Sequence, residues 1–293
     1  MNTFDKSLRL LTIITAVVTV YFSVRTLLEN DLSTWVFMST GVFIAVLFIS
    51  LIGTYKKGNV ELFGLIGSMF SGLTLGRLFS TMHLETIDLS TLSSLDPLMV
   101  AETGPGIQSI ELTSTLLFTL LAIQIVRLPW LKRMSIQSRT IGNPNAYEWG
   151  MTLVRIYVGM MFVAHFTGHI LAGGVPFAVF TDYFGGIGLP FPQAFVVLAG
   201  VIELSLAIML SFGFMTRLAG FGSAIYLFVS VGLGGHYAVG YVWVLPTGGW
   251  EFPAMWIFVS GIFMLAGGGK SSADSWLKER YRYKSSKLKT LIA

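Results

Sequence analysis

The sequence predicts an all-α integral membrane protein, with eight transmembrane helices arranged as two four-helix bundles. Three observations predict it. Apolar residues make up 54% of the 293 and charged residues only 12%, against about 25% in an ordinary soluble domain. Nine of the charged residues lie between Lys270 and Lys289, which leaves the rest of the chain too poor in charge to cover a soluble surface. Mostly apolar runs of about 20 residues recur along it, the length a helix needs to cross about 30 Å of hydrocarbon. The net charge of +4 then marks a basic cytoplasmic face, with the lipid bilayer and not nucleic acid as its partner.

The first run, Leu8 to Leu28, follows Lys6 and Arg9 as a signal peptide would. It is too long, carries Arg25 and has no small-residue cleavage pattern after it, so it reads as a retained anchor. Further spans are expected at Thr34 to Gly53, Val60 to Met82, Ile107 to Leu128, Trp149 to Leu171, Phe191 to Gly213, Phe214 to His236 and Glu251 to Ala266. With the N-terminus inside, 16 of the 19 Lys and Arg residues fall in inner segments, while the outer loops carry Glu29, Asp31, Glu85, Asp88, Asp96, Glu102 and Asp182. That asymmetry predicts a plasma (inner) membrane protein of bacterial type with both termini cytoplasmic. The remaining basic residues, Arg25, Arg77 and Arg155, lie within spans. Trp35, Trp130, Trp149, Trp243, Trp250 and Trp256 stand near span ends, as an aromatic belt would place them.

A polar segment at 131–148, containing Gly142, Asn143, Pro144 and Asn145, reads as a cytoplasmic linker between an N-terminal domain (1–130) and a second membrane domain (149–269). A basic tail (270–293) is expected on anionic lipid. The halves agree in outline, since Gly53 before Lys56 and Lys57 parallels Gly213 before Arg217, Gly76-Arg77 parallels Gly235-His236, and Glu111 opens the fourth helix as Glu251 opens the eighth. An even number of helices per half would make them parallel repeats. The chain contains no cysteine, which excludes disulfide relay, thiolate nucleophiles and Cys-ligated iron-sulfur clusters.

The second half carries a series of short pieces in a fixed order. They are Arg155-x-x-x-Gly159-x-x-Phe162-x-x-His165, Gly188-Leu189-Pro190, Glu203, Gly213-x-x-Thr216-Arg217, Gly248-Gly249-Trp250-Glu251, and the run from Gly267 to Asp274. With these, Thr152 to Leu277 resembles the DoxX family, which includes DoxD, the small membrane subunit of thiosulfate:quinone oxidoreductase. The resemblance implies a membrane subunit of a quinone-linked oxidoreductase system, with a soluble or periplasmic redox partner and thiosulfate as one possible donor. Where the family commonly has Gly followed shortly by Lys, this chain has Gly168-His169, a titrating group in place of a permanent cation.

An ionisable group inside a bilayer is expensive unless paired or hydrated, which makes each one a functional candidate. Glu203 and Arg155 fall at depths about 6 Å apart on antiparallel helices, and an ion pair is expected, serving either to fix helix register or to relay protons. Toward the outer end gather His165, His169, His236, Glu251, Arg77 and Glu111. Their chemistry leaves four uses open. They could hydrogen-bond and protonate a quinone, with His169 and His236 at its two ends. They could ligate haem b, or His165, His169 and Glu251 could hold zinc or copper. They could also be histidines satisfied under the headgroups. A carrier or structural subunit of a membrane complex is the alternative to a redox role, although Pro176, Pro190, Pro192, Pro246 and Pro253 stand at span ends and not in broken mid-span helices.

Overall fold

In the computed structural model, which describes residues 3–30, 32–56, 58–80, 108–134, 146–242, 244 and 248–280, the described secondary structure is helical. In chain order the helices are α1 (Thr3–Glu29), α2 (Thr34–Gly53), α3 (Asn59–Ser80), α4 (Gln108–Met134) and α5 (Ala146–Phe166), the last continuing as a π turn (Thr167–Leu171). They are followed by α6 (Gly174–Gly186), α7 (Pro192–Phe212), α8 (Thr216–Leu233), α9 (His236–Val239), α10 (Glu251–Ala266) and α11 (Ala273–Arg280). Each of the eight expected spans is a helix. Seven are long and apolar enough to cross a membrane, and α10 is apolar but shorter, at 16 residues.

Local chemistry sets the ends. Pro192 opens α7, where its missing N–H costs nothing, and Ser33 caps α2 through Val36 N–H. The seventh span stops sooner than expected. Gly235 turns the chain at φ 75°, so His236 does not end α8 but opens the separate turn α9. Helix α6 was expected as loop, and Asp182 with it. The residues Asp31, His83, Glu85, Asp88, Asp96, Glu102, Trp243 and Pro246, most of the linker and the tail beyond Arg280 lie outside the described residues.

The chain divides into two compact units, Met1–Ser135 with Val163–Leu204, and Ile136–Phe162 with Ser205–Ala293. In the first, α3 is central. It packs against α2 and α4, and α4 packs against α1. Gly64 is where α3 meets α2, since a Cβ there would stand 2.6 Å from Gly53 C and Thr54 N. Helix α1 is turned inside out by the standards of a soluble protein. It buries Asp5, Thr12, Thr15, Thr19 and Ser23 while exposing Leu10, Leu11, Ile14, Val17 and Leu28. Lipid explains this, because apolar side chains gain nothing by leaving it whereas polar ones must find partners within the bundle. Thr12, Thr19 and Ser23 bond carbonyls one turn back, Gln124 of α4 donates to Thr12 at 2.7 Å, and Arg127 of α4 pairs with Asp5 at 2.8 Å.

In the second unit α8 and α10 are in close contact. A Cβ on Gly220 would stand 2.5 Å from Met264 N, and one turn on Ser223 and Ser260 share a hydrogen bond at 2.8 Å.

Candidate functional site

The first unit assembles four of the expected site residues. His169 lies in the π turn that ends α5, where Ala172 N–H reaches the Thr167 carbonyl five residues back. A π turn of this kind re-aims side chains and recurs at functional sites. Gly200 of α7 lets the turn approach, since a Cβ there would stand 3.1 Å from the His169 Cβ. Three residues further along α7, Glu203 faces His169, and its Oε2 meets His169 Nδ1 at 2.6 Å. Both side chains are buried, at 9% and 4% exposure. Because the carboxylate can only accept when ionised, Nδ1 carries the proton in that state, and Nε2 is the ring nitrogen turned away from the pair. The ring packs edge-on to Phe180, centroids 4.3 Å apart, with Phe184 beyond. Both phenylalanines come from α6.

Two donors from the N-terminal helices meet this turn. Trp35 Nε1 donates to the Ile170 carbonyl at 2.8 Å, and Arg77 Nε to the Ala164 carbonyl at 3.2 Å. His165 is exposed although it lies one turn from buried His169 on the same helix, and it stands in the electrostatic field of Glu203, His169 and Arg77. The site is thus an imidazole–carboxylate pair walled by two phenylalanines, with a second imidazole and a guanidinium beside it. It can hold a proton between two groups and offer donors to a carbonyl oxygen. Glu111, half-buried in the first turn of α4, takes part in no ion pair among the described residues.

The expected ion pair of Arg155 with Glu203 is replaced on both sides, because each group finds a partner in its own unit. Arg155, fully buried, donates from Nη1 to the carbonyls of Leu210 and Ser211 and from Nη2 to that of Ser271 at 3.0 Å. The first two are end carbonyls of α7 that have no partner within the helix, so the guanidinium serves as its C-cap. The turn that follows depends on Gly213 (φ 68°), where a Cβ would stand 2.7 Å from Arg155 Nη1. Asp274 closes the other side. Its Oδ1 accepts from Met215 N–H at 2.7 Å and its Oδ2 from Thr216 N–H and Oγ1 at 2.9 and 2.8 Å, capping α8 and placing a negative charge in the field of Arg155. Three of the pieces quoted from the sequence therefore meet in one structural knot. Lys270 adds an ion pair to Glu148 at 2.8 Å.

His236 and Glu251 also belong to the second unit. His236 Nδ1 donates to the Gly248 carbonyl at 3.0 Å, and Glu251 N–H to the Tyr241 carbonyl at 2.9 Å, two bonds that staple the segment between α9 and α10. Among the described residues no three His, Asp or Glu side chains converge as metal ligands. The zinc or copper set of His165, His169 and Glu251 is divided between the two units.

Sequence reasoning missed Phe180, Phe184, Trp35 and Asp274 as contributors. Trp35 was assigned to the aromatic belt, and Asp274 was quoted only as part of a run. Gly267 to Asp274 held the best signal, an acid placed to cap a neighbouring helix.

Compared with known families, residues 150–236 match the DoxX family model. The match contains Arg155, His165, His169, Glu203 and His236, and leaves Trp35, Arg77, Glu251 and Asp274 outside. Neither the comparison with curated proteins nor that with solved structures gives a significant match. The protein is a multi-pass membrane protein with a DoxX-like segment.

Proposed function

We propose that the protein is a membrane subunit of a quinone-linked oxidoreductase system, with the quinone held at the His169 turn. The observation that carries this is the 2.6 Å bond between His169 and Glu203, buried against Phe180. Reduction of a quinone needs donors to its carbonyl oxygens and two protons. In this reading His169, with Arg77 and His165 beside it, supplies donors, Glu203 holds His169 in one tautomer and exchanges a proton with it, and Phe180 and Phe184 line the ring face. A quinone bound there supplies the two-electron chemistry. The chain has no cysteine, and substrate oxidation, with thiosulfate as one candidate donor, is assigned to a soluble or periplasmic partner. The orientation proposed is both termini in the cytoplasm of an inner membrane.

Titration of purified protein with a ubiquinone analogue tests it. His169→Ala and Glu203→Gln should each weaken binding by about ten- to a hundredfold, the worth of a hydrogen bond to a charged group, while His236→Ala should retain it. Unchanged affinity in both variants, or a haem Soret band that vanishes with His169, would overturn the quinone assignment.

A further inference from the structure

The His169 turn lies within the DoxX-like segment, yet one carbonyl in it and one just before it accept hydrogen bonds from far outside that segment. Trp35 sits 135 residues before Ile170 and Arg77 sits 87 before Ala164. The position of these bonds matters. The last carbonyls of a helix have no partner within it, so donors from other helices can fix where its end lies. Arg77 meets a carbonyl just before the π turn, and Trp35 meets one within its last residues.

We propose that Trp35 and Arg77 are positioning residues that hold the end of α5 in its π form, so that the N-terminal helices set the geometry of the His169–Glu203 pair. The two bonds fall on either side of His169, at Ala164 and Ile170, and fix the backbone that carries its ring. Returning it to α would move the residues beyond it by one helix position, up to about 100° around the axis, and take the His169 ring away from Glu203 and the face of Phe180. The indole and the guanidinium therefore stabilise the one form in which the pair exists. The proposal rests on the quinone reading only for what the pair is used for, since the geometry it concerns needs no quinone.

The test follows the His169 ring proton by NMR of His-labelled protein in lipid nanodiscs, assigned by its loss in His169→Gln. In wild-type protein the short bond to Glu203 should place this proton far downfield, with slow exchange against water. Trp35→Phe, which removes only the N–H donor and keeps most of the ring, should speed exchange about threefold, and Trp35→Phe with Arg77→Met about tenfold, the sizes expected for one and two hydrogen bonds within a membrane. Arg77→Lys, which restores a donor, should recover part of the loss. Arg127→Met is the control, because it breaks the Asp5 pair in the same unit and should lower thermal stability while leaving His169 exchange in place. Exchange that stays at the wild-type rate in the double variant overturns the proposal. So does an equal rise in Arg127→Met, which would make the effect one of general loosening. Quinone titration of the same variants is a separate readout, and a failure there with His169 exchange behaving as expected would fall on the quinone reading alone.

Discussion

Arg155 and the pair of His169 with Glu203 solve the same problem, a buried polar or charged group in a membrane protein, in opposite ways. Arg155 turns its guanidinium to backbone, donating three hydrogen bonds to the carbonyls of Leu210, Ser211 and Ser271. Fixed carbonyls neither titrate nor move, so this arrangement has one state and serves as a clamp. Glu203 and His169 face each other with two groups that both exchange protons, and a proton can rest on either one. Two ionisable residues in a membrane thus differ in meaning according to what they touch, and only the second arrangement has the degrees of freedom that chemistry needs.

The contrast is sharpest in stability. Arg155→Met should be the most damaging single change, costing about 3 to 5 kcal/mol, because it uncaps α7 and leaves Asp274 without a compensating charge. Thermal unfolding of the detergent-extracted protein measures it, and a small loss would mean that Arg155 is not a clamp. Asp274→Asn should follow at about 1 to 2 kcal/mol, the worth of a helix cap in a partly buried setting. Gly220→Ala should cost a similar amount or slightly more by pushing α8 off α10. Glu203→Gln should have the smallest effect on unfolding of the four, because an amide can still accept from His169, and yet the largest on quinone binding. If it unfolds the protein as Arg155→Met does, the two arrangements are of one kind and the comparison fails.

Much of the fold was legible because hydropathy alone marks a span, and every expected run became a helix. What escaped detection escaped for physical reasons. Helix α6 has 13 residues, too few to register as a span, and its Pro176 lies in the first turn, where proline is tolerated and gives no sign of interruption. The π turn is written in no periodicity, since His165 and His169 are four residues apart in either form, and only the backbone bond from Ala172 N–H to the Thr167 carbonyl shows it. Pairing Arg155 with Glu203 by depth assumed that a buried cation seeks a carboxylate. Backbone carbonyls are invisible in a list of side chains, and here they were the better partners. For the site, the residue types were legible in the sequence, whereas the division that puts His169 with Arg77 in one unit and His236 with Glu251 in the other was not.

The polar inner face of α1 also bears on how the protein reaches the membrane. Its carboxylate at Asp5 is matched by Arg127, 122 residues later, and Thr12 by Gln124, 112 residues later. When α1 leaves the ribosome, neither partner has been made. Thr12, Thr19 and Ser23 donate to carbonyls of α1 itself, but an ionised Asp5 cannot settle among lipid tails on equal terms with its finished state. Until α4 is synthesised α1 must keep its Asp5 end against water, headgroups or the insertion machinery, so a helix made before α4 is completed only when α4 arrives.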